Sequence, residues 1–270
     1  MIKDIFTRAE KIIIKVGTST IFGNAHSINI EKVANIAKLS AELLHLGKKV
    51  IIVSSGAIAA GHSILSFSTH DKLSISEDSI EVKQALSSIG QIKLLQAYRE
   101  SFLPYYTPIS QILLTNDDFQ NATRKKNILK TIGILIKKSV VPIINENDTI
   151  STDEIAFGDN DMLASKTAIL LRADLVLMLS NIDGVFDNPL NKKERILIEK
   201  ISNVKGIREK IIAAEKSKGG TGGIESKLLA GESLINSDIP MFLTNGNNDL
   251  SYENFEKGKI KGTLFANLMH

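Results

Sequence analysis

Five short runs of apolar, largely β-branched residues recur along the chain: Lys11–Val16 (KIIIKV), Lys49–Ser54 (KVIIVS), Val140–Asn145 (VVPIIN), Asp174–Ser180 (DLVLMLS) and Ile239–Thr244 (IPMFLT). Each is apolar at consecutive positions instead of alternating ones, which is the pattern of strands covered on both faces. Between the first two runs, Ile30, Val33, Ala34, Ala37, Ala41 and Leu44 fall close to one helical face, with Gly47 placed for a left-handed C-cap. Helical spacing returns in Val82–Phe102, Arg124–Lys138 and Asp161–Leu171. The Ser-rich, charged stretch His62–Ser79 reads as a long loop or flap. Strands that need helical crossovers predict an α/β fold with a mostly parallel sheet.

Composition narrows the class. A chain of 270 residues, 43% of them hydrophobic, can bury a sizeable core as one large domain or two intimate lobes. Lys plus Arg exceed Asp plus Glu by 33 to 30, so no overall field points to nucleic acid or an anionic membrane, and any anion site must be local. The best apolar run, Ile169–Leu179, is broken by Arg172 and Asp174 and is too short for a membrane span. The first residues carry charges through every apolar patch and lack a signal-peptide pattern, so a cytoplasmic location is expected. Without cysteine there is no disulfide, thiolate metal site or cysteine nucleophile. His26, His45, His62, His70 and His270 are scattered without ligand spacing, so no protein-built metal site is expected.

Ligands of open α/β sheets bind beyond the carboxyl ends of the strands, and four such places have unusual composition. Lys15 closes the first run ahead of Gly17-Thr18-Ser19; a lysine inside a parallel strand either snorkels to solvent or meets an anion. Ser54-Ser55-Gly56-Ala57 is either an ordinary strand-to-helix turn or an anion pocket of backbone N–H groups. Asn145-Glu146-Asn147-Asp148 and Gly158-Asp159-Asn160-Asp161 place two polar clusters near a strand end and a helix start. Asn160 and Asp161 can be a plain cap and first-turn charge, but two clusters together offer acceptors for an ammonium and donors for a carboxylate. Lys216–Lys227 is dense in glycine with a lysine at each end, suited either to wrapping phosphate oxygens or to a flexible linker. It is neither a Walker A loop nor a GxGxxG fingerprint.

The ordered motifs KVGTS, VSSGAIAAG, KQALSSIGQ, QILLTNDDF, VPIINENDT, FGDND, LSNIDGVF, GTGGIESK and GTLF, from Lys11 to Phe265, closely resemble the glutamate 5-kinases of the amino acid kinase family. The resemblance implies one amino acid kinase domain over residues 1–270, a three-layer α/β/α sandwich with a mainly parallel sheet. Residues 1–165 would hold glutamate and residues 166–270 ATP. It implies transfer of a phosphoryl group from ATP, with Mg²⁺, to the side-chain carboxylate of L-glutamate, the first step of proline biosynthesis. By motif, Lys15 and Lys227 would hold the transferring phosphoryl group and Asp161 would orient both. Ser55, Asp148 and Asn160 would bind glutamate, with Gly56 and Asn145 as further contacts. Lys15, Ser180, Asn181 and the loop Thr221, Gly222, Gly223, Ile224, Glu225, Ser226 and Lys227 would bind ATP. No protein ligand for the metal is assigned. A homo-oligomer, dimer or tetramer, feedback by proline and contact with the next pathway enzyme are further family expectations.

Two departures stand out. Many members continue into a C-terminal PUA domain; with so few residues after GTLF, none is expected here. Where members show Thr-Asp or Ser-Asp, this chain has Ser180-Asn181, one negative charge fewer on the nucleotide side. Two other readings compete: a related kinase acting on another acceptor, and a catalytically silent sensor of amino acid and nucleotide. Gly17-Thr18 in place of a glycine pair disfavours the first, and retention of Lys15, Asp161 and Lys227 disfavours the second.

Overall fold

The computed structural model describes residues 2–22, 27–68, 79–151, 160–187, 195–209 and 223–267. In chain order the elements are α1 (Ile2–Arg8), β1 (Lys11–Val16), α2 (Thr18–Phe22), α3 (Ile30–His45), β2 (Lys49–Ser54), α4 (Ala57–Ser68), α5 (Ile80–Phe102), β3 (Ile109–Leu114), α6 (Ala122–Lys137), β4 (Val141–Glu146), α7 (Asn160–Leu171) and β5 (Leu175–Ser180). There follow β6 (Lys200–Ile201), α8 (204–209), α9 (Gly223–Ile235), β7 (Met241–Asn245), α10 (Tyr252–Glu256) and β8 (Thr263–Phe265).

The strands form one eight-stranded sheet in the order β3-β4-β2-β1-β5-β7-β8-β6, parallel except for the β7–β8 pair. Alternate residues of β1 enter different cores. Ile12, Ile14 and Val16 pack with Phe6, Leu39, Leu94 and Tyr98 on one face. Ile13 packs with Leu163, Ala164, Leu228 and Ala230 of α7 and α9 on the other. Two buried cores around one sheet make the three-layer sandwich, and the period of two sends Lys15 to the face of α7 and α9. Among the described residues no helix is long and apolar enough to cross a membrane.

The five apolar runs become the five central strands. β3, β6 and β8 lack that signature: β3 is an edge strand whose residues are mostly part-exposed, and β6 and β8 have two and three residues. The cap at Gly47 forms as expected, at φ 78°, with its N–H donating to Leu44 and that of Lys48 to Leu43. The flap expectation needs correction at its start. His62–Ser68 continue α4, and Ser79 caps α5 through Val82 N–H at 3.3 Å; residues 69–78 lie outside the described residues. Helix continues there because α4 lies directly on α5. A Cβ on Gly61 would come within 2.0 Å of the Leu86 carbonyl oxygen, and one on Gly90 within 1.8 Å of that of Ala57. Two glycines therefore let the backbones touch, which presses α5 against the start of α4.

Candidate active site

β1 sits where the strand order reverses, with β2 on one side and β5 on the other, which is where an open sheet leaves a crevice. Helices α7 and α9 bring their first turns over the Lys15 face of β1. Asp161, on the first turn of α7, is buried and ion-paired with Lys15 through Oδ1. Its Oδ2 receives Lys227 Nζ at 3.1 Å and Ser226 Oγ at 2.7 Å, both from the first turn of α9. Lys227 Nζ also donates to the Gly223 carbonyl at 2.8 Å.

Burial alone would raise the Asp161 carboxyl, but the two ammonium groups and the Ser226 hydroxyl outweigh it and hold the group well below the usual carboxylate range. One carboxylate thus clamps two lysines that are 212 positions apart in sequence, at the positive ends of two helices. The arrangement is a preorganised anion site.

Beside it lies a pocket of about 80 Å³ lined by Thr18, Ser55, Gly56, Ala57, Ile58, Ala59, Asn145, Glu146, Asp148 and Asn160. That is room for a small polar solute and too little for a macromolecule. One wall is the start of α4. Ala60 N–H makes the first bond back, to Gly56, so the N–H groups of Ala57, Ile58 and Ala59 precede any intrahelical acceptor. Gly56 holds φ 110°, a conformation that glycine adopts without strain, and this turns the chain from β2 into α4. Tyr98 supports the turn from below, donating to Ser54 Oγ at 2.9 Å.

The opposite wall is made of acceptors. Asp148 accepts from Ser87 Oγ at 2.8 Å, and the Glu146 side chain is buried beside it. Asn160 Nδ2 donates to the Ser54 carbonyl at 2.9 Å and to Asn145 Oδ1 at 2.8 Å. Both amide hydrogens are then used, and the oxygen is what Asn160 can offer the pocket. Donors on one side and acceptors on the other suit a solute carrying both an anion and a cation.

The structure therefore brings together Lys15, Asp161, Ser226 and Lys227, and separately Ser55, Gly56, Asn145, Asp148 and Asn160. Ser180 and Asn181 stand at the end of β5, next to β1; Ser180 is buried with its carbonyl taken by Gly246 N–H, and Asn181 is exposed. Two members of the glycine-rich loop face elsewhere: Glu225 pairs with Arg208 at 3.0 Å, and Ile224 packs on the α7/α9 core. Thr221 and Gly222 lie outside the described residues. Sequence reasoning gave no role to Ser87, Gln91 and Tyr98, and marked Thr18 and Glu146 only as members of wider polar stretches. Ser87 and Gln91 had a legible signal, being polar and four apart on one face of α5.

Among the described residues no group of three His, Asp or Glu side chains could hold a metal ion. Both oxygens of Asp161 are engaged by cations, so the donor set here suits a metal carried in by phosphate oxygens and water.

A three-layer sandwich with a lysine-clamped anion site beside a small amphoteric pocket defines a phosphoryl-transfer protein for small acceptors. The model of the amino acid kinase family matches residues 10–245, and the chain belongs to that family. It is 40% identical over 266 residues to the protein named glutamate 5-kinase from Alkaliphilus metalliredigens, covering 98% of each chain. It is 38% identical to the glutamate 5-kinase of Listeria monocytogenes serotype 4b, covering 96% of this chain and 93% of that one. The fold is also that of UMP kinase from Ureaplasma parvum (TM-score 0.63, 16% identity, 96% and 99% covered). Isopentenyl phosphate kinase from T. acidophilum shares it too (TM-score 0.62, 14% identity, 94% and 99% covered).

Proposed function

We propose that the protein is a glutamate 5-kinase, transferring the γ-phosphoryl group of ATP to the side-chain carboxylate of L-glutamate. The observation that carries the reading is Asp161 clamping Lys15 and Lys227 beside an amphoteric pocket. L-Glutamate sets its α-ammonium against Asp148 and Asn160 Oδ1, and its α-carboxylate against Ser55 and the N–H groups opening α4. Its side chain is then free to extend towards the lysines.

The γ-carboxylate, with an ordinary pKa of about 4.3, is ionised at neutral pH and needs no general base. One of its oxygens bonds to the γ-phosphorus while the bond from that phosphorus to the β,γ-bridging oxygen breaks, and ADP leaves with the electron pair. The barrier to reduce is repulsion between two anions. Lys15 from β1 and Lys227 from α9 neutralise the oxygens of the transferring group, and Asp161 keeps both ammonium groups in place before the reactants arrive. Mg²⁺ accompanies the phosphates, neutralising their charge.

Residues 1–165 serve the amino acid and 166–270 the nucleotide, with Ser180, Asn181 and Gly223–Lys227 on the nucleotide side. Proline, which also joins a carboxylate to a cationic nitrogen, fits the same pocket as a feedback inhibitor. Ile92 and Leu113, exposed together beside edge strand β3, form a surface that a second copy would cover in a homo-oligomer. A cytoplasmic setting, with hand-over of the labile acyl phosphate to the next enzyme, completes the reading.

The test is ATP- and Mg²⁺-dependent formation of γ-glutamyl hydroxamate in the presence of hydroxylamine, run beside N-acetylglutamate and aspartate. Signal with L-glutamate alone is expected. No signal from folded protein that still binds ATP would refute the activity and favour a sensor.

A further inference from the structure

Gln91, in the middle of α5, touches none of the phosphoryl-transfer residues and is only 8% exposed. It is half-satisfied. Its Oε1 accepts from Asn145 Nδ2 at 2.8 Å, whereas its Nε2 is buried without a hydrogen-bond partner among the described residues. An orphaned buried donor lowers stability, and a methionine of similar length would remove it only by leaving Asn145 Nδ2 without its acceptor. Stability alone therefore gains little from this residue.

The hydrogen-bond chain supplies another explanation. Two backbone groups that cannot change polarity anchor it: the Ser54 carbonyl only accepts, and the Glu146 N–H only donates. Asn160 must therefore turn Nδ2 to Ser54, at 2.9 Å, and Asn145 must turn Oδ1 to Glu146 N, also at 2.9 Å. Asn145 Oδ1 then meets the second hydrogen of Asn160 Nδ2 at 2.8 Å, and Asn145 Nδ2 is left pointing at Gln91. At that position only an acceptor is tolerated.

We propose that Gln91 is a positioning residue for the ammonium subsite: by accepting from Asn145 Nδ2 it completes the hydrogen-bond chain that holds Asn160 Oδ1 towards the substrate. Without that acceptor Asn145 Nδ2 is buried and unpaired, and the amide shifts towards another partner, straining its bonds to Glu146 N–H and Asn160 Nδ2. One acceptor behind the pocket thus sets how firmly the oxygen that meets the cation is held. The inference rests on the assignment of L-glutamate to this pocket.

The experiment compares wild type, Gln91→Met and Gln91→Glu by thermal melting, by KM for L-glutamate and for ATP, and by calorimetric titration with L-glutamate. Gln91→Met, which exchanges one buried unpaired donor for another, is expected to melt within a few degrees of wild type. Its KM and Kd for L-glutamate should rise roughly tenfold, the scale for a lost polar contact, with KM for ATP within about twofold. Gln91→Glu, which keeps an acceptor oxygen, should recover most of the glutamate affinity. In an Asn145→Ala background, Gln91→Met should have no further effect on KM for L-glutamate. An unchanged glutamate KM in Gln91→Met, an equal rise for ATP, failure of that variant to fold, or additivity with Asn145→Ala would each overturn the proposal. Absence of L-glutamate turnover in the wild type would instead strike at the substrate assignment.

Discussion

Replacing Asp161 with asparagine removes one negative charge from a site that holds two buried cations. The Lys15, Lys227 and Asp161 side chains are 7%, 13% and 3% exposed, so water can do little to replace the lost carboxylate. Breaking a buried ion pair by removing one partner costs about 3–5 kcal/mol, and here one substitution strands two ammonium groups that then repel each other. The upper half of that range is expected for the ligand-free protein, a fall in Tm on the order of 10 °C for a chain of this size.

A saturating non-hydrolysable ATP analogue should narrow the gap, because its phosphates supply anions to the same lysines. The turnover number should fall by about 10² or more, since the lysines are no longer held for the transition state. Acid dependence supplies a further check. The native pKa of Asp161 lies below its unfolded value, so its contribution is complete above about pH 4 and is lost only as pH falls towards the native value. Asp161→Asn should therefore flatten the arm of the Tm–pH curve below about pH 4 and leave the arm above pH 5 parallel to wild type. Differential scanning calorimetry with and without the analogue measures all but the rate. A variant melting within about 2 °C of wild type, or one whose deficit widens on nucleotide binding, would refute the clamp.

Lys15→Ala and Lys227→Ala should each fold and each lose about 10² or more in turnover, read by ADP release; near-normal turnover in either would remove that lysine from the mechanism. Gly90→Ala forces a methyl group against the Ala57 carbonyl, so urea unfolding should show a loss of about 3 kcal/mol or more, with a raised KM for L-glutamate as the start of α4 shifts. Asp148→Asn should weaken L-glutamate while narrowing its advantage over N-acetylglutamate, which lacks the cation; an unchanged kcat/KM ratio between the two would move ammonium recognition elsewhere.

Much of this protein is legible in one dimension. Continuous β-branched runs such as Lys11–Val16 can satisfy their apolar side chains only when covered on both faces, so they specify central parallel strands without knowledge of their neighbours. Lys15, Asp161 and Lys227 are also visible, because ordered motifs carry them and each stands at a strand end or helix start. What a linear pattern does not contain is the strand order. Only the placement of β1 between β2 and β5, with α7 and α9 on one face, decides that the two lysines share the Asp161 carboxylate. Edge strand β3 escaped notice because one exposed face weakens its apolar signal, and Gln91 escaped because a polar residue on a helix usually faces water. Gln91 acts inside because Gly61 and Gly90 let α4 and α5 meet backbone to backbone, drawing that face of α5 over the Asn145–Asn160 pair. Hydrophobic pattern is local and survives in sequence, whereas the polarity of a buried hydrogen-bond chain is decided by which backbone groups the fold sets at its ends.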